Sequence, residues 1–344
     1  MTSAISSVPP PISTLGEATW LGVNSFERRC VGSLEYLARS GVALRGVHLL
    51  EYPTRGFPEV IDRQLRRAHR DLVKASTHAA NAQFETATVE AYASAQFEDY
   101  FSTLAETLGS TALIIDISCM TKIHVVALST ALATLEINAT QTLLAYTSPR
   151  SYGNLNRSSS EIGWSDVLIA PIGTTARMRN ESNSRGVIIA GHESERLWAA
   201  LNEVEPASGL LALGSTPGRP DITRLSEKVN RRVISHMTLA TEAPWSRRVV
   251  DIADVALMRQ LVRTEIAEAA KHEAPLILYP FGPKTLIYAA GEALLRGYPN
   301  DSWFVYPVPA GYHVSYSEGI GQTYWFSTAP ADMAREPSLL PTAT

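Results

Sequence analysis

One loop is written twice in this chain, and that constrains what it can fold into more than any other feature. "YTSPRSY" (146–152) and "YPVPAGY" (306–312) both read Tyr-x-x-Pro-x-x-Tyr. The match continues upstream, where "KIHVVALSTAL" (122–132) and "KTLIYAAGEAL" (284–294) both read Lys-x4-Ala-x3-Ala-Leu. Each lysine follows a short apolar run, "ALIIDIS" or "PLILYPF", with the length and composition of a buried strand. Farther back, "FETATVEAY" and "WSRRVVDIA" supply another strand-like pair. "IDRQLRRAHRDLVKAS" and "DITRLSEKVNRRVISHM" supply a helical one. "NSFERRCVGSLEYL" (24–37) resembles "GHESERLWAALNEV" (191–204), setting Arg29 opposite Arg196. The separations are 167 residues at the arginines, 162 at the lysines and 160 at the tyrosines. So small a drift over so long a stretch is the trace of a few loop deletions. The pattern predicts an internal duplication.

Each half reads β-α-β-α-β-α-β-α-β. Alternation at this length predicts an α/β fold of two tandem Rossmann-like layers, each a parallel sheet covered on both faces. Duplication predicts that the two are related by a pseudo-two-fold axis. The expected divisions are a disordered lead-in at 1–16, half one at 17–152 and a linker at 153–184. Half two follows at 185–328, then a tail at 329–344. The linker is rich in Ser, Asn, Arg and Gly and carries one short strand, "DVLIAPI".

Composition narrows the partners. The 344 residues are 45% apolar and 19% charged, ordinary for a globular chain of two domains. A net charge of −4 supplies no basic field for long nucleic acid, so an anionic ligand must be held by local groups. Two cysteines, Cys30 and Cys119, fit a reducing cytosol. No apolar run reaches the roughly 18 residues of a membrane span. The start, "MTSAISSVPPPISTLG", lacks the pattern of a secretory signal.

In an open parallel sheet, ligands bind outside the carboxyl ends of the strands, where the repeated motifs fall. Lys122 and Lys284 stand at expected helix starts, which already favour anions. There they are expected to face solvent. Arg29 and Arg196 could fork onto phosphate oxygens. Ser118 and Thr121 offer hydroxyls, and Gly282 allows close backbone approach. Tyr146, Tyr152, Tyr306 and Tyr312 offer faces on which a base could stack. Each has a plainer reading. The lysines could be solvated, the arginines paired with Glu27 and Glu195, and the tyrosines packing residues. Asp116 and His192 are the candidate acid–base residues, without acidic or imidazole counterparts in the other half; the plainer role for Asp116 is a loop cap. "GSTPGR" (214–219) has the wrong spacing for a dinucleotide fingerprint, and no Walker A, Gly-x-Ser-x-Gly or metal-spaced His or Cys pattern occurs. No cofactor is therefore expected.

The layout resembles the CRISPR-associated Rossmann-fold (CARF) family and its fused-tandem relatives, the SAVED domains. "DISCMTK" (116–122) keeps the Thr-Lys that ends the family's second ligand loop but lacks its glycines. "YPFGPK" (279–284) keeps Gly282 and Lys284 with Pro283 in place of Thr. The resemblance implies a prokaryotic antiviral-defence module that binds a cyclic oligonucleotide second messenger between its halves. With no fused nuclease or protease segment, it implies an effector on a separate chain, or cleavage of the ligand in place. Two alternatives stand beside it: an enzyme acting on a phosphorylated small molecule or nucleotide, and a structural partner subunit with an empty crevice.

Overall fold

The first strand of each half, "ATWLGVN" and "RGVIIA", is apolar or small at almost every position, as a strand covered on both faces must be. The structure is a computed structural model. It describes residues 17–53, 59–78, 83–108, 112–134, 142–152, 163–173, 183–239, 245–311 and 317–328. The expected lead-in and tail and Tyr312 lie outside the described residues.

The first half runs β1 (Ala18–Asn24), a 3-10 turn (Arg28–Val31), α1 (Gly32–Arg39), β2 (Leu44–Glu51), α2 (Glu59–His78), β3 (Gln83–Thr88), α3 (Ser94–Leu108), β4 (Ala112–Asp116), α4 (Lys122–Thr134) and β5 (Thr142–Thr147). Two strands follow, β6 (Ser151–Tyr152) and β7 (Trp164–Pro171). The second half runs β8 (Arg185–Ala190), α5 (Ser194–Glu203), β9 (Ser208–Ser215), α6 (Pro220–Val229), α7 (Arg231–Leu239), β10 (Trp245–Asp251), α8 (Val255–Lys271), β11 (Leu276–Pro280), α9 (Lys284–Gly297) and β12 (Ser302–Pro309), then β13 (Ser317–Glu318) and β14 (Thr323–Ser327).

The two sheets have one topology. Their orders are β14-β5-β4-β1-β2-β3 and β7-β12-β11-β8-β9-β10, with parallel pairing throughout except at the β14 and β7 edges. The chain is thus a duplicated pair of Rossmann-like layers. One expected element is divided: the second helix of half two breaks at Asn230. That buried amide donates to the Gly191 carbonyl at 2.6 Å and to the Ser226 carbonyl at 2.8 Å, tying the break to the site loop.

The edge strands are exchanged. Strand β7, from the segment between the halves, pairs antiparallel with β12 of half two, Leu168 beside Tyr306. Strand β14, the last strand of half two, returns to pair with β5 of half one, Tyr324 beside Tyr146. Between them β6 and β13, the short strands that precede β7 and β14, pair with each other, Ser317 beside Tyr152.

The equivalent helices α4 and α9 also pack together, and the axis passes where an equivalent pair meets. Ser129 and Gly291 have the same 162-residue separation as the lysines. A Cβ on Gly291 would lie 2.5 Å from Ser129 Oγ, which itself donates to the Val126 carbonyl at 2.6 Å. Glycine is what lets the helices cross this closely. Gly291→Leu is expected to lower stability by about 1–3 kcal/mol through overpacking, read from urea unfolding. A wild-type midpoint would show that the crossing has room to spare. One apolar core runs through both halves, and a second fills the face of sheet one under α1 and α2 around Trp20, Leu34 and Leu72.

Candidate functional site

The strands of each layer end in loops that face the other layer. Strand β1 ends at Asn24, and Glu27 stands just before the 3-10 turn that carries Arg29. Strand β8 ends at Ala190, and Glu193 stands just before α5, whose first turn carries Arg196. Lys122 and Lys284 are the first residues of α4 and α9.

Together these side chains form two clusters across the seam. In one, Lys122 Nζ donates to Glu193 Oε1 at 2.7 Å and to the Phe281 carbonyl at 2.9 Å. Arg196 donates to the other oxygen of Glu193 at 2.5 Å, and to the Pro307 carbonyl through Nε at 3.1 Å and Nη2 at 2.5 Å. In the second cluster Arg29 holds Glu27 bidentately, Nε to Oε2 at 3.0 Å and Nη2 to Oε1 at 3.2 Å. Ser317 Oγ also donates to Glu27. Lys284 Nζ donates to the Ser118 carbonyl at 2.5 Å. Each lysine therefore reaches from its own half into the other.

Burial and charge set the protonation of these groups. Burial would raise the Glu27 and Glu193 carboxyls. The cations around them outweigh it, Arg29 and Lys284 at Glu27, Lys122 and Arg196 at Glu193, and hold both below the usual range. Burial lowers the Lys122 ammonium, with Glu193 opposing. Burial, then the neighbouring Arg29 charge, brings the Lys284 ammonium down to about 8. Lys122 is only 8% exposed and Lys284 half-buried, so the expectation that both lysines face solvent is corrected. Each extends into the seam because acceptors of the opposite half wait there. The plainer reading of Arg196, a pair with Glu195, is corrected in its partner: Glu195 is exposed, and Glu193 receives the guanidinium.

Arg196 lies over the Tyr306 ring at 4.6 Å, and Arg29 over the Tyr146 ring at 6.0 Å. Both tyrosines are buried, so these faces are already taken by arginine. Tyr152 packs against the edge of His192, with ring centroids 4.4 Å apart. Burial lowers the His192 imidazole to about 4, so it is neutral at physiological pH.

Arg29, Thr121, Lys122, Tyr146, Tyr152, His192, Arg196, Gly282, Lys284 and Tyr306 line one cavity of about 360 Å³ between the halves. Asp116 and Ser118 do not line it. Asp116 is buried behind the loop, accepting from Ser33 Oγ and from the Ser118 N–H at 2.7 Å; burial raises its carboxyl and these bonds oppose the rise. That is the loop-cap role. Ser118 Oγ accepts the Thr147 N–H at 2.7 Å, so Ser118 meets the site through its carbonyl. Thr121 caps α4, its Oγ1 accepting the His124 N–H at 3.2 Å. Gly282 serves packing: a Cβ there would lie 2.4 Å from Ile189 Cγ2.

Glu27, Glu193 and Phe281 were not among the candidate ligand residues. Glu27 is the plainer partner of Arg29 in the sequence, and that pair is formed; Glu193 escapes notice because it precedes its arginine by three residues where Glu27 precedes by two. Among the described residues, no group of three or more His, Cys, Asp or Glu side chains could hold a metal. No helix among them is long and apolar enough to cross a membrane.

No known protein family and no curated protein matches the sequence. The fold does match a solved one, a Type III CRISPR defence DNA nuclease activated by cyclic oligoadenylate. The TM-score is 0.50 at 8% identity, over 82% of this chain. This chain spans 64% of the length of that nuclease chain. At this identity the likeness is one of fold.

Proposed function

We propose that the chain is a sensing module of prokaryotic antiviral defence that binds a nucleotide-like anionic second messenger between its halves and signals to an effector. The observation that carries this reading is the pair of equivalent Lys–Glu–Arg clusters meeting across the seam in one cavity. Arg29, Lys122, Arg196 and Lys284 would receive phosphate oxygens, exchanging a carboxylate or carbonyl partner for the ligand. Thr121, Gly282 and the tyrosines would shape the wall. The fold shared with a nuclease activated by cyclic oligoadenylate supports the ligand class.

Binding is favoured over acid–base catalysis on the enzyme reading. Asp116 is held behind the loop, and a His192 imidazole near 4 is far from the operating pH at which a general base is most effective. Native mass spectrometry with linear and cyclic nucleotides separates the readings. A retained ligand supports sensing, and conversion supports catalysis. If the ligand is neither retained nor converted, the structural-subunit reading is the one supported.

The Lys284 ammonium gives a pH dependence. A phosphate beside it favours the charged form, so its pKa rises above about 8 on binding. Its contribution to affinity is complete below about pH 8 and is lost as pH climbs from there through the pKa of the complex. Titration near pH 8.5 in two buffers of different ionisation heat should show proton uptake. Flat affinity from pH 7 to 9.5 would mean that Lys284 does not meet the anion.

A further inference from the structure

A buried polar atom with no partner calls for an explanation, and one belongs to the wall of the cavity. Asn24, the last residue of β1, lines it and is 8% exposed. Its Nδ2 donates to Glu51 Oε1 at 3.0 Å, while its Oδ1 is buried with no partner among the described residues. Glu51 ends β2 directly beside Asn24 in the sheet register, and His69 Nδ1 on α2 lies 3.1 Å from the same carboxylate oxygen.

A carboxylate oxygen accepts and does not donate, so the amide cannot turn over without setting oxygen against oxygen. Glu51 therefore fixes which end of the amide is which. Oδ1 stays an acceptor, and Nδ2 keeps a second N–H, since one of its two is spent on Glu51. An acceptor beside a donor on one amide is what asparagine presents to adenine, whose amino group donates and whose neighbouring ring nitrogen accepts.

The pair has no copy. Gly191 stands opposite Asn24 at the 167-residue separation of the arginines, and β9 ends in Ser215 where β2 ends in Glu51. The Gly191 carbonyl already takes the Asn230 amide. Among the described residues, half two thus offers no amide held in this way.

Resting on the reading of the cavity as a nucleotide site, we propose that Asn24 reads one base of the ligand, accepting the N–H of an amino group that stands beside an unprotonated ring nitrogen. Glu51 is the positioning residue that holds the amide in its reading orientation. Only one base meets this reader, so the two halves treat the ends of the ligand differently.

The test is calorimetric titration of the full chain with cyclic adenylates of two, three and four nucleotides. The same rings are then titrated with purine, in which hydrogen replaces the amino group, at every position or at all but one. For a ring that binds, full replacement is expected to lower affinity by about tenfold or more. A ring that keeps one adenine should lose less than that. In Glu51→Gln, a change outside the lining of the cavity, the new side chain can donate as well as accept. The Asn24 amide is then free to turn over, and the adenine-to-purine ratio should shrink severalfold in a chain that still melts cooperatively. A merely structural role for Glu51 would lower both affinities together and leave the ratio alone. Should Glu51→Gln fail to fold, Asn24→Ala is expected to bring the ratio close to one. Equal binding of adenylate and purine rings by the wild type would overturn the proposal, and so would a ratio unchanged in a folded variant. A single-adenine ring that binds as weakly as the all-purine ring would overturn the one-ended reading. Absence of binding by every ring is a different result, since no ratio can be formed, and would overturn the nucleotide reading itself.

Discussion

Lys122→Met is expected to lower the stability of the chain by about 3 kcal/mol, the low end of the cost of breaking a buried ion pair. The lysine is buried, and both of its partners, Glu193 and the Phe281 carbonyl, belong to the other half. Methionine fills the same volume and leaves that carboxylate and carbonyl short of a donor. Glu193 keeps Arg196 at 2.5 Å, which holds the loss to the low end of the range. The measurement is urea unfolding of wild type and variant, where the midpoint should fall with the slope unchanged. A midpoint at the wild-type value would mean that Lys122 does not join the halves.

The equivalent lysine is expected to behave differently. Among the described residues Lys284 bonds to the Ser118 carbonyl, and its ammonium is disfavoured by burial and by Arg29. Lys284→Met removes a cation held at a cost but leaves the buried Ser118 carbonyl short of a donor, so the two effects oppose and the melt should fall by less than in Lys122→Met. Affinity for a nucleotide anion should drop by about tenfold to a hundredfold, the worth of a charge-assisted hydrogen bond of roughly 1.5–3 kcal/mol. Unchanged affinity would remove Lys284 from the binding surface. A collapsed melt would assign it the structural role argued here for Lys122.

The contrast between the two lysines marks where the sequence stops being informative. Duplication, parallel sheets and helix starts at Lys122 and Lys284 could be read directly, because each is written in local pattern: apolar runs, small residues and a repeated Lys-x4-Ala. What a side chain meets across a seam is written nowhere locally. Glu193 lies 71 residues from Lys122, and the Ser118 carbonyl 166 from Lys284. Surface lysines are the common case, and these two depart from it because the opposite half supplies the acceptors. The tyrosines were legible as wall residues but not as partners of arginine. That depended on Arg29 and Arg196 folding back over β5 and β12. The break at Asn230 was hidden for a similar reason. The amide that interrupts the helix answers to a carbonyl in a loop 39 residues away.

The exchanged edge strands bear on how such a chain could be cut or inherited. Severing the backbone anywhere in 174–182 would yield two pieces, each still clasping a ribbon that belongs to its neighbour's sheet. Neither piece is a finished unit without the other, and they should elute together under native conditions. The same interlock describes an ancestor. Two identical subunits that traded their last strands become this molecule once the end of one is joined to the start of the next. From then on the copies are free to diverge, since a change in one is no longer mirrored in the other. Ser129 against Gly291 and Asn24 against Gly191 are changes of that kind, which a symmetric pair could not make one side at a time.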